Sequence, residues 1–149
     1  MQTSFKRERC ANTFKLRSQK LWYTSLSLNL LQVNFKPAIV LLILNKQTEE
    51  ALEMLAKNYS VNIPNLKIGL PKGHKNNVYG CYTPKDTTIS LLNSDMLGNP
   101  FVVLHEFYHH LRSKSVDKQH KGTEKNADKF AVAFLKEYEA AARQAIGSS

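Results

Sequence analysis

The sequence predicts an α+β fold, with a small, mostly antiparallel sheet packed against two helices in the C-terminal third. Three observations predict it. Short segments with strand-like patterning are spread through the stretch from Ser25 to Leu92. A helical apolar stripe then follows the start signal Gly98-Asn99-Pro100, and a second stripe runs through Gly122 to Ala145. A chain of 149 residues can bury a core without disulfide or metal staples. One domain over residues 21–149, preceded by a basic arm over residues 1–20, accounts for the pattern.

The elements follow in order. Leu26, Leu28 and Leu30, then Leu31, Val33 and Phe35, alternate with polar residues, so Ser25 to Phe35 reads as a strand with a bulge. Ala38 to Leu44 is a seven-residue apolar run bounded by Lys36-Pro37 and Asn45-Lys46, which reads as a buried strand. Ala51, Leu52, Leu55 and Tyr59 fall at helical spacing, with Thr48 as cap and Glu49-Glu50 in the first turn. Pro64 to Leu70 is a short strand, and Pro71 to Asn77 a basic turn. Val78 to Tyr82 with Thr87 to Leu92 forms a hairpin. No internal repeat is present.

The helix after Gly98 carries the chemistry. Asn99 caps it, and Pro100 occupies the first helical position, where a missing N–H costs nothing. At 100° per residue, Phe101, Val103, Leu104, Phe107, Tyr108 and Leu111 make one broad apolar arc. His105 and His109 fall together just beyond one edge of that arc, followed by Val102 and Glu106. Two imidazoles four residues apart can reach one cation, and the glutamate between them can take a proton from metal-bound water. His105-Glu106-Phe107-Tyr108-His109 is thus the core pattern of a zinc hydrolase. His110 points elsewhere on the helix and reads as structural or surface.

Catalytic zinc takes three protein ligands and keeps a position for water. A third histidine six residues after the second would fall at Ser115, and the accompanying glycine at Arg112, so that option fails. Glu124, opening the last helix, is the leading third ligand; His120 is its rival. Asp128 lies one turn after Glu124 and can hold the far ring nitrogen of a ligand histidine. Plainer roles compete at each position. Glu124 complements a helix dipole capped by Thr123, Asp128 pairs with Lys125 or Lys129, and His120 is solvated in a polar loop.

His105 and His109, followed by Glu124-Lys125-Asn126-Ala127-Asp128-Lys129-Phe130-Ala131, resemble the gluzincin arrangement, and specifically the compact ImmA/IrrE-type peptidases and minigluzincins. The run from Tyr79-Gly80-Cys81-Tyr82-Thr83-Pro84 to Ile89-Ser90-Leu91 is similar to the glycine-aromatic strand before the zinc helix in that family. The resemblance covers residues 45 to 140 or so. It implies a minimal zincin-like domain, one zinc ion, peptide-bond hydrolysis, His105, His109 and Glu124 as ligands, and Glu106 as general base. The chain departs from the family in having fourteen residues between His109 and Glu124, and Asn126 in place of a frequent acidic residue.

In such peptidases a strand beside the cleft takes up extended substrate as one more strand. Thr88, Ile89, Ser90 and Leu91 are the candidates for that edge. An oxyanion partner is expected from Tyr82, His74 or His120. The expected partner is an intracellular protein or peptide substrate. The net charge is +9, of which residues 1–46 supply +7, so any weak contact with nucleic acid belongs to the arm. The rival reading is a nucleic-acid-binding or regulatory module on an inactive scaffold, although no helix-turn-helix, zinc knuckle or RNA-binding signature is present. Cys10 and Cys81 form no paired motif, which favours a reduced, cytoplasmic setting. No apolar run is long enough to span a membrane, and no signal-peptide core or cleavage site follows the basic N-terminal residues.

Overall fold

A computed structural model describes residues 34–74, 77–116 and 123–147. Among these residues the fold is α+β, with four α-helices and a three-stranded mixed sheet. The order is α1 (Phe35–Leu44), α2 (Thr48–Tyr59), β1 (Asn65–Ile68), β2 (Gly80–Thr83), β3 (Thr88–Leu91), a 3₁₀ turn (Ser94–Gly98), α3 (Pro100–Ser113) and α4 (Thr123–Gly147). The basic arm and most of the first expected strand lie outside the described residues. No described helix is long and apolar enough to cross a membrane.

The run Ala38 to Leu44 is a helix rather than the expected strand. Every residue from Pro37 to Leu44 is buried, and the element packs against α2, α3 and α4. An apolar run carries neither the strand period nor the helix period when it is enclosed on all sides. Pro37 is tolerated because first-turn N–H groups have no partner inside a helix. The first bond of α1 runs from Ala38 N to Asn34 O at 3.2 Å. Lys36 joins α1 to α4 through an ion pair with Glu137 at 2.6 Å.

α2 forms as expected, with one change at its start. Thr48 is the first helical residue rather than the cap, and its hydroxyl donates to the carbonyl of Leu97, tying α2 to the turn before α3. Its buried stripe is Ala51, Leu52, Leu55 and Ala56, and Ser60, at φ 56°, ends it in the left-handed region.

The hairpin is present, β2 pairing antiparallel with β3 from Gly80↔Leu91 to Thr83↔Thr88. However, β1 pairs parallel with β3, giving the order β1-β3-β2, so the sheet is mixed rather than mostly antiparallel. The chain passes from β1 beyond the place of β3, forms β2, and returns between the two. Thr88, Ile89, Ser90 and Leu91 therefore occupy the central strand and are all buried. They cannot be the substrate edge, because both of their hydrogen-bonding sides are taken. Patterning identifies a strand, whereas strand order depends on crossovers that it does not encode.

The core is centred on α3, buried from Pro100 through Leu111. Phe101, Val103, Leu104 and Phe107 meet residues of α1, α2 and α4 in one cluster with Ile39, Leu52, Leu55, Phe134 and Tyr138. Ala127, Ala131, Phe134 and Tyr138 form the buried stripe of α4. Small side chains at 127 and 131 let the start of α4 lie close to α3, since interaxial distance follows contact-residue size.

Candidate metal centre

α3 starts where the local chemistry dictates. The Asn99 side chain accepts from Val102 N at 3.3 Å and Pro100 stands at the first helical position. That start fixes the phase of the helix, and with it the direction of His105 and His109. The two rings lie 5.0 Å apart between centroids, with both Nε2 atoms 3.2 Å from each other. Both histidines are buried.

Glu124 reaches this pair from the first turn of α4. Its Oε2 lies 3.2 Å from His105 Nε2 and its Oε1 3.2 Å from His109 Nε2. The fourteen intervening residues thus suffice to bring the carboxylate back to the imidazole pair. One ligand atom from each of the three residues lies within 4.8 Å of the others, close enough to hold a metal ion. The donor set fits such an ion. With bonds of about 2.0–2.1 Å, neighbouring donors of a tetrahedral site stand roughly 3.3 Å apart, near the observed spacing.

The electrostatics agree. Burial raises the Glu124 carboxyl, but hydrogen bonds and charge from His105 and His109 outweigh it and hold the pKa at about 2, against an ordinary 4.5. The carboxylate is therefore ionised at neutral pH, as a ligand must be. Its side chain is 47% exposed, whereas those of His105 and His109 are buried, so the cluster faces solvent on its Glu124 side.

Asp128, one turn along α4, places Oδ1 3.0 Å from His105 Nδ1. The ring donates its Nδ1–H to that carboxylate, so Nε2 is the nitrogen turned toward the cluster. His109 Nδ1 has no hydrogen-bond partner among the described residues. The two imidazoles thus differ: one is oriented by a carboxylate, the other by packing, including the Tyr108 ring 6.4 Å away between centroids.

Glu106 is fully buried on the side of α3 that meets β2. A Cβ at Gly80 would stand 2.9 Å from Val102 Cγ1, 3.0 Å from Glu106 Cγ and 3.1 Å from Glu106 Oε1. Only glycine lets this strand lie so close to the carboxylate. Sequence reasoning assigned Gly80 no role, although a glycine inside a strand is the signal of such a close approach. Next to it, burial first and the Glu106 charge second push the Cys81 thiol up, so it stays protonated and inert.

Tyr82 is not an oxyanion donor. Its hydroxyl is buried and lies 3.0 Å from His110 Nδ1 and 2.8 Å from Ser113 Oγ. His110 Nε2 donates to the carbonyl of Asn62 at 2.7 Å, so Nδ1 accepts the Tyr82 hydrogen. Burial lowers the His110 pKa, partly countered by the Asn62 bond and aided by Lys114, which keeps the ring neutral. This network ties α3 to β2 and to the segment leading into β1. Of the two expected places for His110, the structural one agrees with these bonds and the surface one does not, since the ring is fully buried; its partners had no sequence signal. His120 lies outside the described residues, and His74 is described but contributes no ligand to the cluster. The chain matches no known family, curated protein or solved structure.

Proposed function

We propose that the chain is a zinc-dependent metallopeptidase of the gluzincin type, with a minimal zincin-like domain. The convergence of His105, His109 and Glu124 on one point, with Glu106 between the two histidines, carries this reading. Two imidazoles and one carboxylate, with a solvent-facing side, suit zinc in a hydrolase. Asp128 behind His105 adds the carboxylate–histidine pairing that such sites use.

Bound zinc would supply Lewis acidity toward a scissile carbonyl and an acidified water. Glu106 would take a proton from the water that adds to the carbonyl carbon and pass it to the amine nitrogen that leaves as the C–N bond breaks. The β2 backbone at Gly80 lies against the Glu106 side chain, limiting the orientations its carboxylate can take. Glu124 balances positive charge, and Asp128 fixes the His105 tautomer. Substrate enters from the half-exposed Glu124 side.

The test combines metal analysis with cleavage. Protein purified without added zinc should hold about one equivalent, lost in His105→Ala. A mixed peptide library should be cut by the wild type, not after chelation, and again once zinc is restored. Glu106→Gln should keep the metal and lose cleavage. Cleavage that survives Glu106→Gln unchanged sinks the mechanism.

A further inference from the structure

The geometry points to a second binding surface on the outer edge of β1, one that takes up an extended peptide carrying lysine or arginine. In the parallel ladder, Asn65 N donates to Thr87 O at 2.8 Å and Gly69 N to Leu91 O at 2.7 Å. Strand alternation therefore turns the N–H and C=O groups of Asn65, Lys67 and Gly69 toward β3. Those of Leu66 and Ile68 face away from the sheet, and no described residue pairs with them. A strand edge of this kind is a template for one more strand.

The surroundings select the occupant. Beside the edge lies a groove of about 430 Å³ between β1 and α2, lined on the helix side by Glu49, Leu52 and Glu53 and on the strand side by Asn65, Leu66 and Lys67. Ile63 and Ile68 stand at 53% and 51% exposure along the same edge, an apolar rim open to solvent. Glu49 and Glu53 are one turn apart on α2, a like-charge spacing that costs stability unless something cationic comes between. Both are exposed, and no described cation forms an ion pair with either. On a chain of net charge +9, two such carboxylates beside a strand edge that no described residue pairs mark the place for a basic side chain. Lys67 sets the register of the occupant, whose basic side chains fall beside Leu66 and Ile68 rather than opposite Lys67, and a second copy paired symmetrically about Lys67 would set two lysines against each other.

The surface is independent of the metal reading, since β1 forms no substantial contact with α3 or α4. The test uses the full chain and fluorescence anisotropy. The probes are a labelled heptapeptide of alternating threonine and lysine, its glutamate counterpart, and the lysine peptide N-methylated at alternate residues. The lysine probe should bind about tenfold or more tightly than either of the others, with or without chelator. Ile68→Pro, which removes an outward N–H without touching the β1–β3 ladder, should weaken binding about tenfold. Glu49→Gln with Glu53→Gln should erase the preference for lysine over glutamate. Equal binding of the lysine and glutamate probes overturns the proposal, as does N-methylation without effect. Absence of binding, or self-association that the lysine probe does not displace, overturns it too. The N-methylated probe keeps the test decisive should Ile68→Pro fail to fold.

Discussion

His109 and His110 are neighbours on one helix, both buried, and their surroundings give them opposite work. His109 points its Nε2 at His105 and Glu124, and no described residue bonds its Nδ1. His110, about 100° further round α3, has both nitrogens engaged, one by Tyr82 and one by Asn62. A ring satisfied at both nitrogens is locked and neutral, and it serves as a bolt between α3, β2 and the lead into β1. A ring with its Nε2 turned to a second imidazole and a carboxylate is poised to coordinate. The two faces of α3 thus divide labour: one holds the helix still, the other presents donors.

Breaking each face separately should separate the two roles. The largest effect is expected for His109→Ala, which should abolish stoichiometric metal binding and reduce peptide cleavage to background. Elemental analysis and a cleavage assay on the same preparation check it. A variant that keeps one equivalent of metal would remove His109 from the centre.

His110→Ala should do the reverse. It leaves the Tyr82 hydroxyl and the Asn62 carbonyl without partners and opens a cavity, at a cost of about 2–4 kcal/mol in urea unfolding. The metal content of the protein that remains folded should stay at one equivalent. Gly80→Ala should cost about 1–3 kcal/mol, since the added methyl meets Val102 and Glu106 and the core must give. Its kcat should fall while metal content holds, because the group displaced is the carboxylate and not a ligand.

Asp128→Asn sharpens the comparison on the metal face alone. Loss of the carboxylate behind His105 should weaken metal affinity about 10–100-fold, read by competition with a chromogenic chelator, with little change in metal-free stability. The smallest effect concerns pH. The folded Glu124 pKa lies at about 2, below its ordinary 4.5, so the carboxylate contributes stability above 4.5 that is lost as pH falls through 2. Metal-free wild type should therefore lose stability more steeply than Glu124→Gln across that window. The difference should be small, because the side chain is half exposed and screened by water.

The sequence alone was enough for the parts that rest on local chemistry. The Asn99-Pro100 start, the four-residue spacing of His105 and His109 and the stripe of α4 are set by helical geometry, which has one period and one hand. From them His105 and His109 could be named as a pair, with Glu124 (against His120) and Asp128 as candidate partners, and the distances bring these four described residues together. The hairpin of β2 and β3 was legible for the same reason, as two short runs around Pro84 to Thr87. What the tertiary structure alone decided is everything that depends on what surrounds an element. Ala38 to Leu44 is a helix because neighbours cover it on every side, which removes the periodicity that would have revealed it. Thr88 to Leu91 is central because the chain crosses over before forming β2. Tyr82 serves His110 rather than a substrate because the strand order turns its hydroxyl toward that face of α3. Burial and strand order are set by contacts between residues far apart in the chain, and no local pattern carries them.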